Sequence, residues 1–97
     1  MKDTRLSARA QADLEEIWVY IGQDSPAAAD RFVERILQTC RTLARTPRIG
    51  RPREDLAPGL RSLPYEKYVI FYRIAKSGVE VARVLSGYRD IEVLFDR

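Results

Sequence analysis

Between residues 59 and 90 the chain reads GLRSLPYEKYVIFYRI and then VEVARVLSGYRD, and no other stretch limits its fold so tightly. Tyr, Phe, Val and Ile dominate it, side chains that suit a pleated, half-buried surface. Three consecutive strands are expected. Residues 59–66 form the first, with Pro64 suiting an edge or a bulge. Residues 68–74 are almost uninterrupted in their apolar character and make the best central strand. Lys76-Ser77-Gly78 supplies a hairpin turn, and residues 79–85 return antiparallel. Gly87 ends that strand, and residues 90–95 are expected to add a helical turn or a short strand. Arg61, Arg73, Arg83 and Arg89 are spread through the segment, so the sheet looks built to grip something acidic.

The first half has a different period. Residues 4–6 suit a short strand, and Ser7 is a good N-cap for a helix over residues 8–22. Leu14, Ile17, Trp18 and Ile21 follow i, i+3, i+4, i+7 spacing and mark its buried stripe. Asp13, Glu15 and Glu16 are expected on the solvent side, near the end whose dipole favours acids. Ser25-Pro26 starts a second helix, since proline at the first helical position loses no needed N–H. Its apolar face is Ala29, Phe32, Val33, Ile36, Cys40 and Leu43, and it should stop near Thr46, before Pro47. Residues 47–58 read as a loop carrying Arg48, Arg51 and Arg53, then Glu54 and Asp55. The expected class is α+β: an N-terminal helical hairpin packed on one face of a small, mostly antiparallel sheet, with the other face left free to bind.

Ninety-seven residues make one domain, spanning residues 1–97, with enough chain for a single core. No apolar run approaches the ~20 residues that span a bilayer, and no membrane association is expected. The N-terminus lacks a leader-like apolar segment, so a cytoplasmic protein is expected. Cys40 is the only cysteine. It cannot form an internal disulfide and, on the apolar face of a helix, reads as a buried structural thiol. There is no histidine, which removes the commonest general base and the commonest zinc ligand. Neither a metal nor a cofactor is expected. The net charge is +3, and the excess lies in residues 48–97, which points to an acidic partner for that half: nucleic acid or an acidic protein segment.

Familiar catalytic constellations are missing. No glycine-rich phosphate loop is present, and no serine lies in a nucleophile-elbow context. The arginines remain, since a guanidinium is always charged and grips phosphate or carboxylate through paired hydrogen bonds. Arg83 lies in mid-strand, where it must face solvent, a partner or a buried acid. Arg89-Asp90 follow at the next turn. Tyr65, Tyr68, Tyr72 and Tyr88 either stack on bases or pack against helices.

Four segments resemble a known family. They are AQADLEEIWVYI (residues 10–21), PRIGRPREDL (47–56), GLRSLPYEKYVIFYRI (59–74) and VEVARVLSGYRD (79–90). In this order they resemble the ParE toxins of the RelE/ParE superfamily of type II toxin–antitoxin modules. The resemblance covers nearly the whole chain. It implies a toxin held inactive in a hetero-oligomer by a ParD-like antitoxin, poisoning DNA gyrase and so blocking replication and arresting growth. It also implies a division of residues. Arg83, Arg89, Asp90 and Phe95 would meet the target, while Arg61, Tyr68, Ile70 and Tyr72 would form the antitoxin groove, with no catalytic residue.

The alternative implied by the same superfamily is a ribosome-dependent mRNA endoribonuclease of the RelE branch. That branch tends to carry an arginine directly after the central-strand tyrosine, where this chain has Val69. It also offers a tyrosine or histidine beyond the final-strand arginine, where Phe95 stands. Arg89 does match a position used in that branch. Many ParE-like sequences have histidine where this chain has Ser86, which leaves a third reading: a weakened toxin that retains antitoxin binding.

Overall fold

Two serines set where the helices begin. The computed structural model describes residues 3–87 and residue 95. A short strand, β1 (Asp3–Leu6), leads into helix α1 (Ala8–Gly22), where the Ser7 hydroxyl accepts the Ala10 N–H. Helix α2 (Pro26–Arg45) starts in the same way from Ser25, whose hydroxyl accepts the Ala28 N–H, with Pro26 at its first position. Each cap satisfies a donor that the first helical turn leaves open. Trp18 ties the hairpin together by donating its indole N–H to Asp30 at 2.7 Å.

After α2 a 3-10 turn (Pro47–Ile49) leads to strands β2 (Arg51–Pro52), β3 (Leu60–Tyr65), β4 (Tyr68–Ala75) and β5 (Gly78–Ser86). The sheet order is β1-β5-β4-β3-β2; β1 runs parallel to β5 and the other pairings are antiparallel. Two-residue turns join β3 to β4 and β4 to β5, because Tyr65 pairs with Tyr68 and Ala75 with Gly78. Gly78 (φ 151°) lies so close to β1 that a Cβ there would run into the Asp3 backbone. β2 is a strand within the segment expected as loop. Pro64 lies beyond the two residues of β3 that β2 covers, so its missing N–H costs no ladder bond. β5 bulges opposite β4: Phe71 pairs with Arg83 and Tyr72 with Val81, leaving Ala82 as the extra residue.

Ile70, Tyr72, Val81 and Val84 pack against Leu14, Ile17, Ile36, Cys40 and Leu43 of the helices to form the main core. Enclosing a side chain such as Ile36 stabilises by about 2–3 kcal/mol. Trp18, expected in this core, stands at its rim and is 40% exposed. The opposite face of the sheet is not free. Leu60, Phe71 and Leu85 are buried there in a second cluster, covered by Leu56 and Ala57 of the β2–β3 connection and by Phe95. Apolar side chains at alternate positions of β4 serve both faces, so both need cover.

Candidate functional site

Beyond Val81, β5 outruns the short β1, and the start of α1 takes over the exposed strand edge. Ser7 donates its backbone N–H to the Val81 carbonyl and its hydroxyl to the Ala82 carbonyl, at 3.0 and 2.8 Å. Asp13 accepts the Val84 N–H at 2.9 Å and receives both Nε and Nη2 of Arg83, at 2.9 and 3.0 Å. Asp13 is therefore buried, not on the solvent side. Its spacing carried the signal, since Ala10, Asp13, Leu14 and Ile17 fall on one helical stripe and all are buried. The hydrogen bonds from Arg83 to Asp13 raise the guanidinium pKa, the pull of Asp13 and Glu16 adding to it against the cost of burial. A two-pronged pair of this kind holds orientation as well as charge.

Next to this pair a cleft of about 170 Å³ opens between α1 and the ends of β4 and β5, lined by Asp13, Glu16, Ile17, Tyr20, Tyr68 and Ser86. Tyr20 is 70% exposed, and with Val19 it gives α1 an apolar outer surface. Phe32 packs its ring against Tyr65 and Tyr68, with centroids 5.8 and 5.6 Å apart. Burial pushes the Tyr68 phenol above its ordinary pKa, with a smaller push from Tyr20. Tyr68 therefore stays a neutral donor at physiological pH.

The opposite edge of the sheet is basic. Arg61 donates its Nε to the Gly50 carbonyl and its Nη2 to the Arg48 carbonyl, at 3.1 and 3.3 Å. The Tyr72 hydroxyl donates to the Pro47 carbonyl at 2.6 Å and accepts the Gly50 N–H at 2.8 Å. Arg73 donates to the Pro58 carbonyl. Arg48 and Arg51 are exposed.

Comparison with known proteins gives this arrangement a family. Residues 4–91 match the family described as the ParE toxin of type II toxin–antitoxin systems, parDE. The chain belongs to the ParE toxin family. Toxin ParE1 of Caulobacter vibrioides is 40% identical over 87 residues, 88% of each chain. Toxin ParE1 of Mycobacterium tuberculosis is 35% identical over 92 residues, covering 90% of this chain and 91% of the relative. Toxin RelE2 of C. vibrioides is 40% identical over 81 residues, covering 84% and 90%. Among solved structures, one described as the chromosomal ParDE TA system from P. aeruginosa matches with a TM-score of 0.73 at 25% identity, over 89% of this chain and 96% of that one.

Within this ParE chain the residues singled out from sequence are not gathered in one place. Arg83 and Tyr68 lie beside the α1 cleft, with Arg83 engaged by Asp13. Arg61 lies at the basic edge. Arg89 and Asp90 lie outside the described residues. The Phe95 ring packs edge-on against Phe71 with centroids 4.8 Å apart, so it helps close the second core. Ile70 and Tyr72, expected in the antitoxin groove, have side chains fully enclosed in the core beneath the helices. Tyr72 spends its hydroxyl on the 3-10 turn instead. Tyr20, Glu16 and Asp13 were not singled out as site residues, although the exposed tyrosine on an otherwise amphipathic helix was a readable sign. Among the described residues, no group of three or more potential ligands is placed to hold a metal ion, and no helix is long and apolar enough to cross a membrane.

Proposed function

We propose that this ParE chain is the toxin of a pair with a ParD-like antitoxin and that it acts on DNA gyrase, blocking replication. The carrying observation is the family match over residues 4–91, which takes in both helices and all of the sheet but its first residue, Asp3. The solved neighbour is described as a ParDE system, which supports an antitoxin partner here. Gyrase as the target rests on the ParE resemblance and on the chemistry of the chain. There is no histidine, and Tyr68, which lines the cleft, has its pKa pushed up rather than down, away from the operating pH that a general acid or base needs. Arg83 is engaged by a carboxylate instead of standing ready for a phosphate.

In this reading Arg89, Asp90 and Phe95 engage the target, while Arg83 positions the final strand that leads to them. Arg61 and Tyr68, both half-buried, offer the antitoxin their accessible polar groups. The protein works by binding, in a cytoplasmic setting, without a cofactor.

A second reading is ribosome-dependent mRNA cleavage. It draws support from the 40% identity to a relative named Toxin RelE2. Expression without the antitoxin, followed by primer extension on ribosome-bound messenger, separates the two. Growth arrest with no new cuts in A-site codons is expected. Codon-positioned cuts at toxic levels would replace the gyrase reading with the nuclease one, and unimpaired growth would leave only an antitoxin-binding role.

A further inference from the structure

We propose that the edge of the sheet formed by the 3-10 turn and β2 binds the phosphate backbone of duplex DNA through Arg48, Arg51 and Arg61. The inference goes beyond the gyrase reading and does not depend on it, because the binding is to DNA alone.

Three observations carry it. The edge is rigid: the buried Tyr72 hydroxyl holds Pro47 through its carbonyl and Gly50 through its N–H, so the residues flanking Arg48 and preceding Arg51 are pinned from the core. Gly50 has no room to move toward that ring, since an added Cβ would lie 2.7 Å from Tyr72 Cε1. The edge also keeps its charge. Arg61 is oriented by two backbone carbonyls, those of Gly50 and Arg48, which fix the guanidinium without cancelling it. Arg48 and Arg51 are exposed, and the three ion pairs of the described residues use Arg41, Arg53 and Arg83 instead. Finally, the loop's two acids are both tied within the loop: Asp55 is neutralised by Nε and Nη2 of Arg53, and Glu54, though still charged, is turned to the Gly59 N–H. Arg53 holds the Asp55 carboxyl below its ordinary pKa, with Arg51 contributing a smaller pull.

An oriented Arg61 guanidinium beside the exposed Arg48 and Arg51, all three on a pinned backbone, suits phosphate, and the pinned backbone lowers the ordering cost of binding. The choice of DNA follows from charge density. A duplex offers a charge about every 1.7 Å of axis and can meet the three arginines in any register, whereas an acidic protein segment must match individual carboxylates to them.

The test is fluorescence anisotropy of the purified protein with a short labelled DNA duplex, titrated from ~50 to ~200 mM salt. Binding that weakens linearly on a log–log plot is expected. The Arg48→Gln/Arg51→Gln variant should lower the magnitude of that slope by about two, while Arg48→Lys/Arg51→Lys should keep it. Arg5→Gln/Arg41→Gln removes the same charge near β1, at the other edge of the sheet, and should bind as the unaltered protein does. An unchanged slope in the first variant, an equal loss in the control, or no binding by the unaltered protein at the lowest salt would overturn the proposal. So would tighter binding to an RNA duplex of the same sequence.

Discussion

Asp13 and Arg83, seventy residues apart, form a two-pronged ion pair that fastens the first helix to the last described strand, and the same carboxylate accepts the Val84 N–H. Their side chains are only 7% and 13% exposed. Removing one partner therefore leaves a largely dehydrated charge without its counter-ion. Asp13→Ala should destabilise the fold by about 3 kcal/mol, and Asp13→Asn by less, since an amide oxygen can still accept from Val84. Urea unfolding of both single variants and of Asp13→Ala/Arg83→Ala gives the coupling. Strictly additive losses would show that the pair contributes nothing as a pair.

A second prediction concerns the anchor under the basic edge. Tyr72→Phe removes one hydroxyl but orphans two backbone groups, the Gly50 N–H and the Pro47 carbonyl. A loss of about 1–3 kcal/mol is expected, with faster amide exchange at Gly50. Wild-type protection at that amide in the variant would mean the turn holds itself.

Cys40 offers a prediction in pH. Burial raises its thiol from the ordinary 9.0 to about 11, with Arg41 pulling weakly the other way. The unfolded thiol ionises first, so the unfolded chain binds fewer protons than the folded one above pH 9. Stability is thus fully present below pH 9 and is lost as pH rises through 11, by about 3 kcal/mol in all. Urea midpoints of the unaltered protein and of Cys40→Ala, followed over that window, should converge as pH rises. Parallel curves would show that the thiol does not titrate differently on folding. At neutral pH the same burial predicts very slow reaction of the native thiol with disulfide reagents.

Local signals in the chain carried most of the architecture. Ser7, Ser25-Pro26 and Pro47 mark helix ends through groups within a few residues, and the helix over residues 8–22 is found as expected. The 68–74 run and the Lys76-Ser77-Gly78 turn likewise gave the central hairpin, with a two-residue loop between Ala75 and Gly78. What was not legible depends on distant partners. β2 is two residues long and includes a proline; it exists because Arg51 and Pro52 meet Ser62 and Arg61 of β3. Asp13 was placed outside on account of its charge, although its spacing matched the buried stripe; only Arg83 and Val84 explain why a carboxylate is stable there. The second face of the sheet was expected to be open because its cover, Leu56, Ala57 and Phe95, comes from segments without a periodic pattern.

The proposed division between fold and target contact can be separated by two arginines. Arg83→Ala should lower toxicity together with stability, because its partner is Asp13. Arg89→Ala should lower toxicity while leaving the thermal midpoint and antitoxin binding largely as they were. Full growth arrest by the Arg89 variant would remove that residue from the toxic surface.

The most direct test is gyrase supercoiling and cleavage with the purified toxin, alone and with its ParD-like antitoxin. Cleaved DNA should accumulate with the toxin alone, and the antitoxin should prevent it. Supercoiling that proceeds unaffected, with no cleaved DNA at toxin concentrations sufficient to arrest growth, would contradict gyrase as the target.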